Sequence, residues 1–138
     1  MVNQDILRTK IEFINNHLER ILPYRSLSSE EFLQDIKAQD IVEYNCFQII
    51  NHLIDLMEYI VVDQDYGLPQ TAYEAAVILA EKGILEQNDL DLLKRMIGFR
   101  NVVGHDYIDI DKQIVYGVLT SGKDDIHRVL SKITIKFF

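Results

Sequence analysis

The stretch VEYNCFQIINHLIDLMEYI, residues 42–60, carries the longest apolar stripe of the chain. Its apolar residues recur every three or four positions, which is the spacing of one face of an α-helix. The residues on this face are Val42, Cys46, Ile49, Leu53, Met57 and Ile60. The pattern predicts a long amphipathic helix that buries one face against other helices.

The residues before this stretch follow the same helical spacing. Apolar positions predict a first helix from about Asn3 to Leu22, which Pro23 stops. Those positions are Ile6, Ile11, Ile14, Leu18 and Ile21. Ser28 followed by Glu31 is a capping box, which predicts the start of a second helical stretch. Within that stretch, Asp40 is expected to cap or kink the chain.

The residues after the stretch predict a loop and two more helices. The turn-forming run DQDYGLP, residues 63–69, predicts the loop. Thr71 and Glu74 form a second capping box, and Gly83 is suited to end the helix that begins there. A following helix is predicted from a cap at Asn88 to Gly104.

The last predicted helix begins at Asp109 or Asp111. Its stripe is Val115, Val118, Gly122, Ile126, Val129 and Ile133. The place of Gly122 on this stripe would permit the close approach of a neighbouring helix. The tail ITIKFF, residues 133–138, is expected to be a strand-like end whose terminal phenylalanines could make a dimer contact.

These elements predict one all-α domain over residues 1–138. No alternating segment of useful length predicts a strand, and helices joined by short loops favour an up-and-down four-helix bundle, with a possible extra short helix. No apolar run approaches the roughly 18 residues of a membrane span, and the N-terminus, MVNQDILRTKIEF, does not resemble a secretory signal. We therefore expect a cytoplasmic protein, whose single cysteine, Cys46, is a small buried hydrophobe.

One segment concentrates groups that can do chemistry: RNVVGHDY, residues 100–107. It brings an arginine, an asparagine, a histidine and a tyrosine to the end of an otherwise apolar helix. On a continuous helix Arg100 and His105 would point about 140° apart, because each residue turns the helix by about 100°. Gly104 lies between them and can end the helix, so that His105 folds back towards Arg100.

These residue types suit the cleavage of RNA by its own 2′-hydroxyl without a metal ion. A guanidinium such as that of Arg100 stabilises charge on phosphoryl oxygens, and an imidazole such as that of His105 moves a proton near neutral pH. Asn101 could orient either group or form a hydrogen bond to the sugar-phosphate. Because one histidine does not easily act as base and acid in one step, a symmetric homodimer that pairs two segments would provide both.

Other interpretations of the same residues stay open. Arginine and histidine at a helix C-terminus are often caps or surface residues, and Tyr107 could be a core ring with its hydroxyl at the surface. Asp106, Asp109 and Asp111 carry oxygens that suit Mg²⁺ or Ca²⁺, although helix capping explains them better. The four histidines lie far apart on different predicted helices, so the sequence indicates neither a metal site nor a cofactor.

The segment RNVVGHDY resembles the signature of HEPN-domain RNase toxins, in which Arg-Asn is followed by His-x-Tyr. The ending His-x-Tyr resembles the HepT family. Two longer runs are similar to the same family: GLPQTAYEAAVILAEKGIL, residues 67–85, and LDLLKRMIGFRNVVGHDYIDIDKQIVYGVL, residues 90–119. The N-terminal half matches in helical pattern only.

The resemblance implies a four-helix-bundle RNase toxin that works as a homodimer. By position, Arg100 and His105 would be its catalytic pair, with Asn101 the polar residue after the arginine. Tyr107 would be the tyrosine to which a minimal nucleotidyltransferase antitoxin, MntA, adds AMP. A second hypothesis is a non-catalytic helical module that partners a nucleotidyltransferase. The net charge of −8 favours that module, because phosphate binding needs Lys and Arg, whereas the intact Arg–His pair favours the RNase.

Overall fold

The computed structural model describes residues 3–104 and 110–138. All regular secondary structure in those two ranges is helical, which confirms the predicted all-α class. The α-helices are α1 (Gln4–Ile21), α2 (Ser29–Gln34), α3 (Ile36–Asp63), α4 (Ala72–Glu81), α5 (Gln87–Val103) and α6 (Lys112–Phe137), and a 3₁₀ helix spans Leu22–Ser26. Four of these α-helices are long, and α2 and α4 are short. None of the described helices is long and apolar enough to cross a membrane.

Helix α3 is the centre of the fold, because α1, α4, α5 and α6 all pack against it. The six residues of its predicted stripe are at most 3% exposed, which confirms the predicted burial. Cys46 is among them. Burial raises the pKa of its thiol to about 12, and the nearby carboxylate of Glu43 acts in the same direction.

Side chains that accept hydrogen bonds from backbone N–H groups fix several helix starts. Asn3 caps α1 in this way, and Ser28 and Glu31 form the predicted capping box at α2. Thr71 caps α4, and Asp111 caps α6. These starts are confirmed, because a short polar side chain before an apolar run marks them in the sequence.

Two predicted boundaries are wrong, and in each case another carboxylate caps the helix. Asp35 caps α3 through a hydrogen bond from the Ala38 N–H, so Asp40 lies inside a continuous helix and neither caps nor kinks it. Asn88 lies inside α5, which begins at Gln87. The cap there is formed by the Asp89 carboxylate, which accepts a hydrogen bond of 2.9 Å from the Glu86 N–H.

The strand-like tail predicted for residues 133–138 is also wrong, because α6 continues to Phe137. Ile133 is fully buried, and Phe137, one turn later, packs partly against the core. This helical face anchors the tail. The terminal Phe138 is 45% exposed, and the guanidinium of Arg8 lies 5.7 Å from its ring centroid.

Candidate active site

Helix α5 carries Arg100 and Asn101 in its last turn. Its apolar face, which includes Leu93 and Ile97, is buried and fixes the rotation of the helix. Arg100 is half-buried and Asn101 is exposed. The two polar residues that the sequence singled out therefore stand next to each other at the C-terminal end of a well-packed helix.

The side chain of Asn101 holds the guanidinium of Arg100. Nε and Nη2 of Arg100 both donate to Oδ1 of Asn101, at 3.2 and 2.8 Å. Two of the five guanidinium N–H donors are used in this contact, and the planar group is fixed in orientation. The role of Asn101 in catalysis stays a prediction.

Gly104 ends α5, as predicted, but for a different physical reason. Its φ of −67° lies in the right-handed region, so the freedom of glycine to take positive φ is not used. An added Cβ would instead lie 3.2 Å from the carbonyl oxygen of Arg100 and 3.4 Å from the ring of Phe47 on α3. The small size of glycine therefore allows the end of α5 to lie against α3.

The predicted catalytic histidine and the predicted AMP acceptor lie outside the described residues. The undescribed segment comprises His105, Asp106, Tyr107, Ile108 and Asp109. The roles of His105 and Tyr107 therefore stay predictions, as does the cation-binding alternative for the aspartates.

The start of α6 lies against the same part of α3 as the end of α5. Lys112, the first residue of α6, forms an ion pair with Glu43 of α3. Phe47, one turn further along α3, contacts the end of α5 at Gly104. Residues 43–47 of α3 thus support both helix ends that flank the undescribed segment.

A buried carboxylate, which the sequence analysis missed, ties α5 to α6 at the opposite end of α5. Asp89 is fully buried, and its Oδ2 lies 2.5 Å from Nζ of Lys132. Its Oδ1 lies 3.6 Å from Nε of Arg128. Burial alone would raise the pKa of Asp89, but hydrogen bonds from Lys132 and from the Glu86 backbone outweigh it and lower this pKa. The sequence signal for the cap of α5 was the spacing of Glu86 and Asp89, which are three residues apart as in a capping box.

Between this ion cluster and Gly104, α5 and α6 leave a mostly apolar groove of about 300 Å³. Its apolar lining comes from α5, α6 and α3 and includes Leu92, Met96, Phe99, Ile114, Gly117, Gly122 and Ile50. Arg95, Ser121 and Asp125 are its polar lining residues. Among the described residues, an added Cβ at Gly117 would meet nothing within 4 Å, and one at Gly122 would meet only Val118 of its own helix, at 3.5 Å. The close approach of a helix that Gly122 would permit does not occur there.

Two of the four histidines, which are far apart in the sequence, lie side by side in the structure. The rings of His17 on α1 and His52 on α3 stack with their centroids 5.5 Å apart. The sequence analysis missed this contact, because it depends on which turns of α1 and α3 meet. No group of three or more potential metal-ligating side chains was found in residues 3–104 and 110–138.

Comparison with solved structures gives the class of the protein. A tri-AMPylated HEPN toxin of Shewanella oneidensis in complex with an MNT antitoxin has a similar fold, with a TM-score of 0.86 and 30% identity. The match covers 97% of this chain and 99% of that chain. The helical fold of this chain is that of the HEPN class.

Sequence comparison narrows this class to one family. A family model described as Ribonuclease HepT-like matches residues 14–133, and the chain belongs to this family. The chain is 31% identical to the mRNA nuclease HepT of Shewanella oneidensis, over 94% of this chain and 96% of that protein. It is 27% identical to the tRNA nuclease HepT of Aphanizomenon flos-aquae, over 80% of this chain and 76% of that protein.

Proposed function

We propose that this protein is a metal-independent RNase toxin that acts in the cytoplasm and is silenced by a nucleotidyltransferase antitoxin. The observation that carries the proposal is the guanidinium of Arg100, which Asn101 holds at the end of α5. Membership of the HepT-like family supports the reaction type. The two relatives are named as an mRNA nuclease and a tRNA nuclease, so both kinds of RNA are candidate substrates.

In the proposed reaction the RNA provides its own nucleophile. The 2′-oxygen attacks the adjacent phosphorus, the bond from phosphorus to the 5′-oxygen breaks, and a cyclic phosphate forms. Arg100 stabilises the charge that develops on the phosphoryl oxygens. The imidazole of His105 takes the 2′-hydroxyl proton, or gives a proton to the leaving 5′-oxygen.

Cleavage in the presence of EDTA tests metal independence. The purified protein is incubated with an end-labelled mRNA fragment and with tRNA, and we expect cleavage at the same rate with EDTA and with Mg²⁺. A parallel preparation of the His105→Ala variant controls for contaminating nucleases. Loss of cleavage in EDTA that Mg²⁺ restores would overturn the metal-free mechanism.

We also propose that the protein is a two-fold homodimer, in which the groove between α5 and α6 receives the same helices of the second copy. The groove is mostly apolar, and Ile114 at its edge is 54% exposed. Phe99, which lines it, immediately precedes Arg100. A second copy seated there would bring the two catalytic segments together and pair their histidines.

The substitution Gly117→Lys is expected to convert this dimer to a monomer. The new Cβ meets nothing within 4 Å among the described residues, and lysine raises helix propensity, so the fold should persist. At the interface it would place bulk and like charges near the two-fold axis. Gly98→Lys is the matched control, since Gly98 is helical, equally open and outside the groove lining.

Light scattering at micromolar concentration measures the outcome of both substitutions. We expect twice the chain mass for the native protein and for Gly98→Lys, and a single chain mass for Gly117→Lys. A native protein that is monomeric contradicts the dimer. A Gly117→Lys protein that stays dimeric contradicts this choice of interface.

The hydroxyl of Tyr107 is the proposed acceptor of AMP from the antitoxin. The AMPylated state of the similar Shewanella oneidensis toxin supports this assignment. Tyr107 lies two residues from His105, so a nucleotide there would occupy the space that the RNA needs. The added phosphodiester would also pair with Arg100 and repel the RNA backbone.

The Tyr107→Phe variant is therefore expected to remain an active RNase that the antitoxin cannot modify. Mass spectrometry after incubation with the nucleotidyltransferase and ATP should show added AMP on the native protein and none on the variant. Tyr73→Phe, on α4, serves as the control and should still be modified. Added AMP on the Tyr107→Phe protein would contradict the assignment.

The second candidate function is a non-catalytic module that partners a nucleotidyltransferase, and the net charge of −8 favours it. A module without catalytic activity does not need an arginine such as Arg100, whose guanidinium is oriented and can bind a phosphate. A native protein that cleaves neither mRNA nor tRNA, and yet binds the nucleotidyltransferase, would decide for the module.

A further inference from the structure

A contiguous row of rings lies where α1 and α3 pack side by side. Phe13 and Tyr44 are 47% and 56% exposed, and His17 and His52 are half-buried beside them. The ring centroids are 5.2 Å apart for Phe13 and His52, 5.5 Å for His52 and His17, and 6.4 Å for His17 and Tyr44. These four residues are named the ring cluster.

A buried side chain holds the ring cluster in place. The side-chain Nδ2 of Asn45, which is 5% exposed, donates to the Ile41 carbonyl at 2.8 Å, so its Oδ1 is an acceptor. Nδ1 of His17 lies 2.8 Å from that Oδ1, and it donates to Oδ1 in the tautomer that carries the hydrogen on Nδ1. Arg20 has its Nη1 3.3 Å from the same nitrogen, and its charge stands beside the cluster. The orientation of the His17 ring is thus fixed before any ligand binds.

The ring cluster continues from the proposed active site across the surface of α3. The ring of Phe47 contacts the end of α5 at Gly104. Tyr44 lies three residues before Phe47, so the two side chains are neighbours on the helix surface. From Tyr44 the row passes to His17 and then to His52 and Phe13. Tyr44 is therefore the member of the ring cluster that lies nearest along α3 to the contact with the end of α5.

The ring cluster does not lie in a basic region, because helices α1 and α3 together hold eight carboxylates and four Lys or Arg side chains. One of these carboxylates, that of Asp55 on α3, is paired with Lys10 of α1. The guanidinium of Arg20 lies beside His17. Binding of RNA here would therefore depend on the rings more than on cations.

The imidazole of His52 suits stacking at neutral pH. Burial lowers its pKa, and the neighbouring His17 and Lys10 lower it further, against the opposite effect of Asp55. A neutral imidazole stacks readily on other rings, as His52 does on His17.

We propose that the ring cluster stacks the bases of single-stranded RNA next to the scissile phosphate. The inference rests on the proposed function, because it assigns a subsite of the same RNA. Stacking on aromatic and imidazole rings binds any base and needs few cations. An acidic protein can hold RNA in this way, with Arg20 and Arg100 as local contacts for phosphates.

Two substrates of different length test the inference. A fluorescent decanucleotide with 2′-O-methyl groups cannot be cleaved, and its binding is measured by anisotropy. We expect Tyr44→Leu and Phe13→Leu each to weaken this binding by about fivefold or more, the effect of losing one stacked base. Tyr44→Phe keeps the ring and should bind within twofold of the native protein, as should Tyr66→Leu, which alters a tyrosine beyond the far end of α3.

Cleavage gives a second readout of the same variants. For an unmodified decanucleotide KM should rise in Tyr44→Leu and Phe13→Leu, whereas kcat/KM for a dinucleotide, too short to reach the ring cluster, should not change. The inference is wrong if both leucine variants bind and cleave the decanucleotides with the affinity and the KM of the native protein. It is also wrong if the native protein does not bind the decanucleotide.

Two further outcomes separate this inference from its alternatives. In the first, the leucine variants keep their affinity for RNA but become monomeric or no longer bind the nucleotidyltransferase. In that case the ring cluster is a protein-binding surface and the inference is wrong. If the native protein binds the decanucleotide through the ring cluster but cleaves no RNA, the nuclease proposal fails and the binding inference stands.

Discussion

Replacing His105 by alanine is expected to slow RNA cleavage by about a hundredfold to ten-thousandfold, the usual contribution of a general acid or base. Replacing Arg100 by lysine is expected to cost about a hundredfold or more. Lysine keeps the positive charge but cannot form the two hydrogen bonds that Arg100 makes to Asn101. Both variants should have the same thermal unfolding temperature as the native protein, because neither change removes a buried apolar group.

Single-turnover cleavage of end-labelled RNA measures these losses, and thermal unfolding checks the fold. Lys94→Ala is the matched control, since it removes an exposed cation from the same helix and should leave the rate unchanged. A His105→Ala protein that cleaves at the native rate would show that His105 has no role in catalysis. An Arg100→Lys protein that cleaves RNA at the native rate would show that a guanidinium of fixed orientation is not needed for catalysis.

The substitution Asp89→Asn is expected to lower the free energy of unfolding by about 3 kcal/mol, the usual cost of breaking a buried ion pair. Asparagine keeps the shape and can still accept from the Glu86 N–H. It removes the charge that Lys132 and Arg128 approach inside the fold. Asp125→Asn is the control, because Asp125 pairs with the same Arg128 near the surface and should cost about 0.5 kcal/mol or less.

The effect of Asp89→Asn should depend on pH in a defined direction. The pKa of Asp89 lies below its ordinary value of 3.8 in the folded protein. Its contribution to stability is therefore fully present above about pH 5 and is lost as the pH falls through the folded pKa. Urea unfolding at several pH values should show the native and variant proteins converging in acid. A difference that stays constant down to pH 2 would contradict the ion-pair explanation.

The helices themselves could be predicted from the sequence, because each buries a stripe of apolar residues with a regular spacing. The boundaries were harder to predict, because two polar side chains within a few residues can each cap the same helix start. Asp35 caps α3 instead of Asp40, and Asp89 caps α5 instead of Asn88, because each accepts a hydrogen bond from a backbone N–H group. The tail was misjudged because β-branched residues lower helix propensity by only a few tenths of a kcal/mol, and the burial of Ile133 outweighs that preference.

The candidate site could be predicted in part. Arg100 and Asn101 were found from their types and their place at a helix end, and the structure brings them into contact. The stacking of His17 on His52 could not be predicted, because it depends on which turns of α1 and α3 meet. The contact between Gly104 and Phe47 has the same origin, since it joins residues 57 positions apart.

The burial of Cys46 has a practical consequence for spectroscopy. With a pKa of about 12, its thiol is ionised in only about one molecule in 100,000 at pH 7, and the thiolate is the form that reacts with maleimides. The native chain has no other cysteine, so it should not react with the label. A cysteine placed at the exposed Ile135 would carry the only spin label or fluorophore. Distances between two such labels could then follow how copies of the chain assemble and separate in solution.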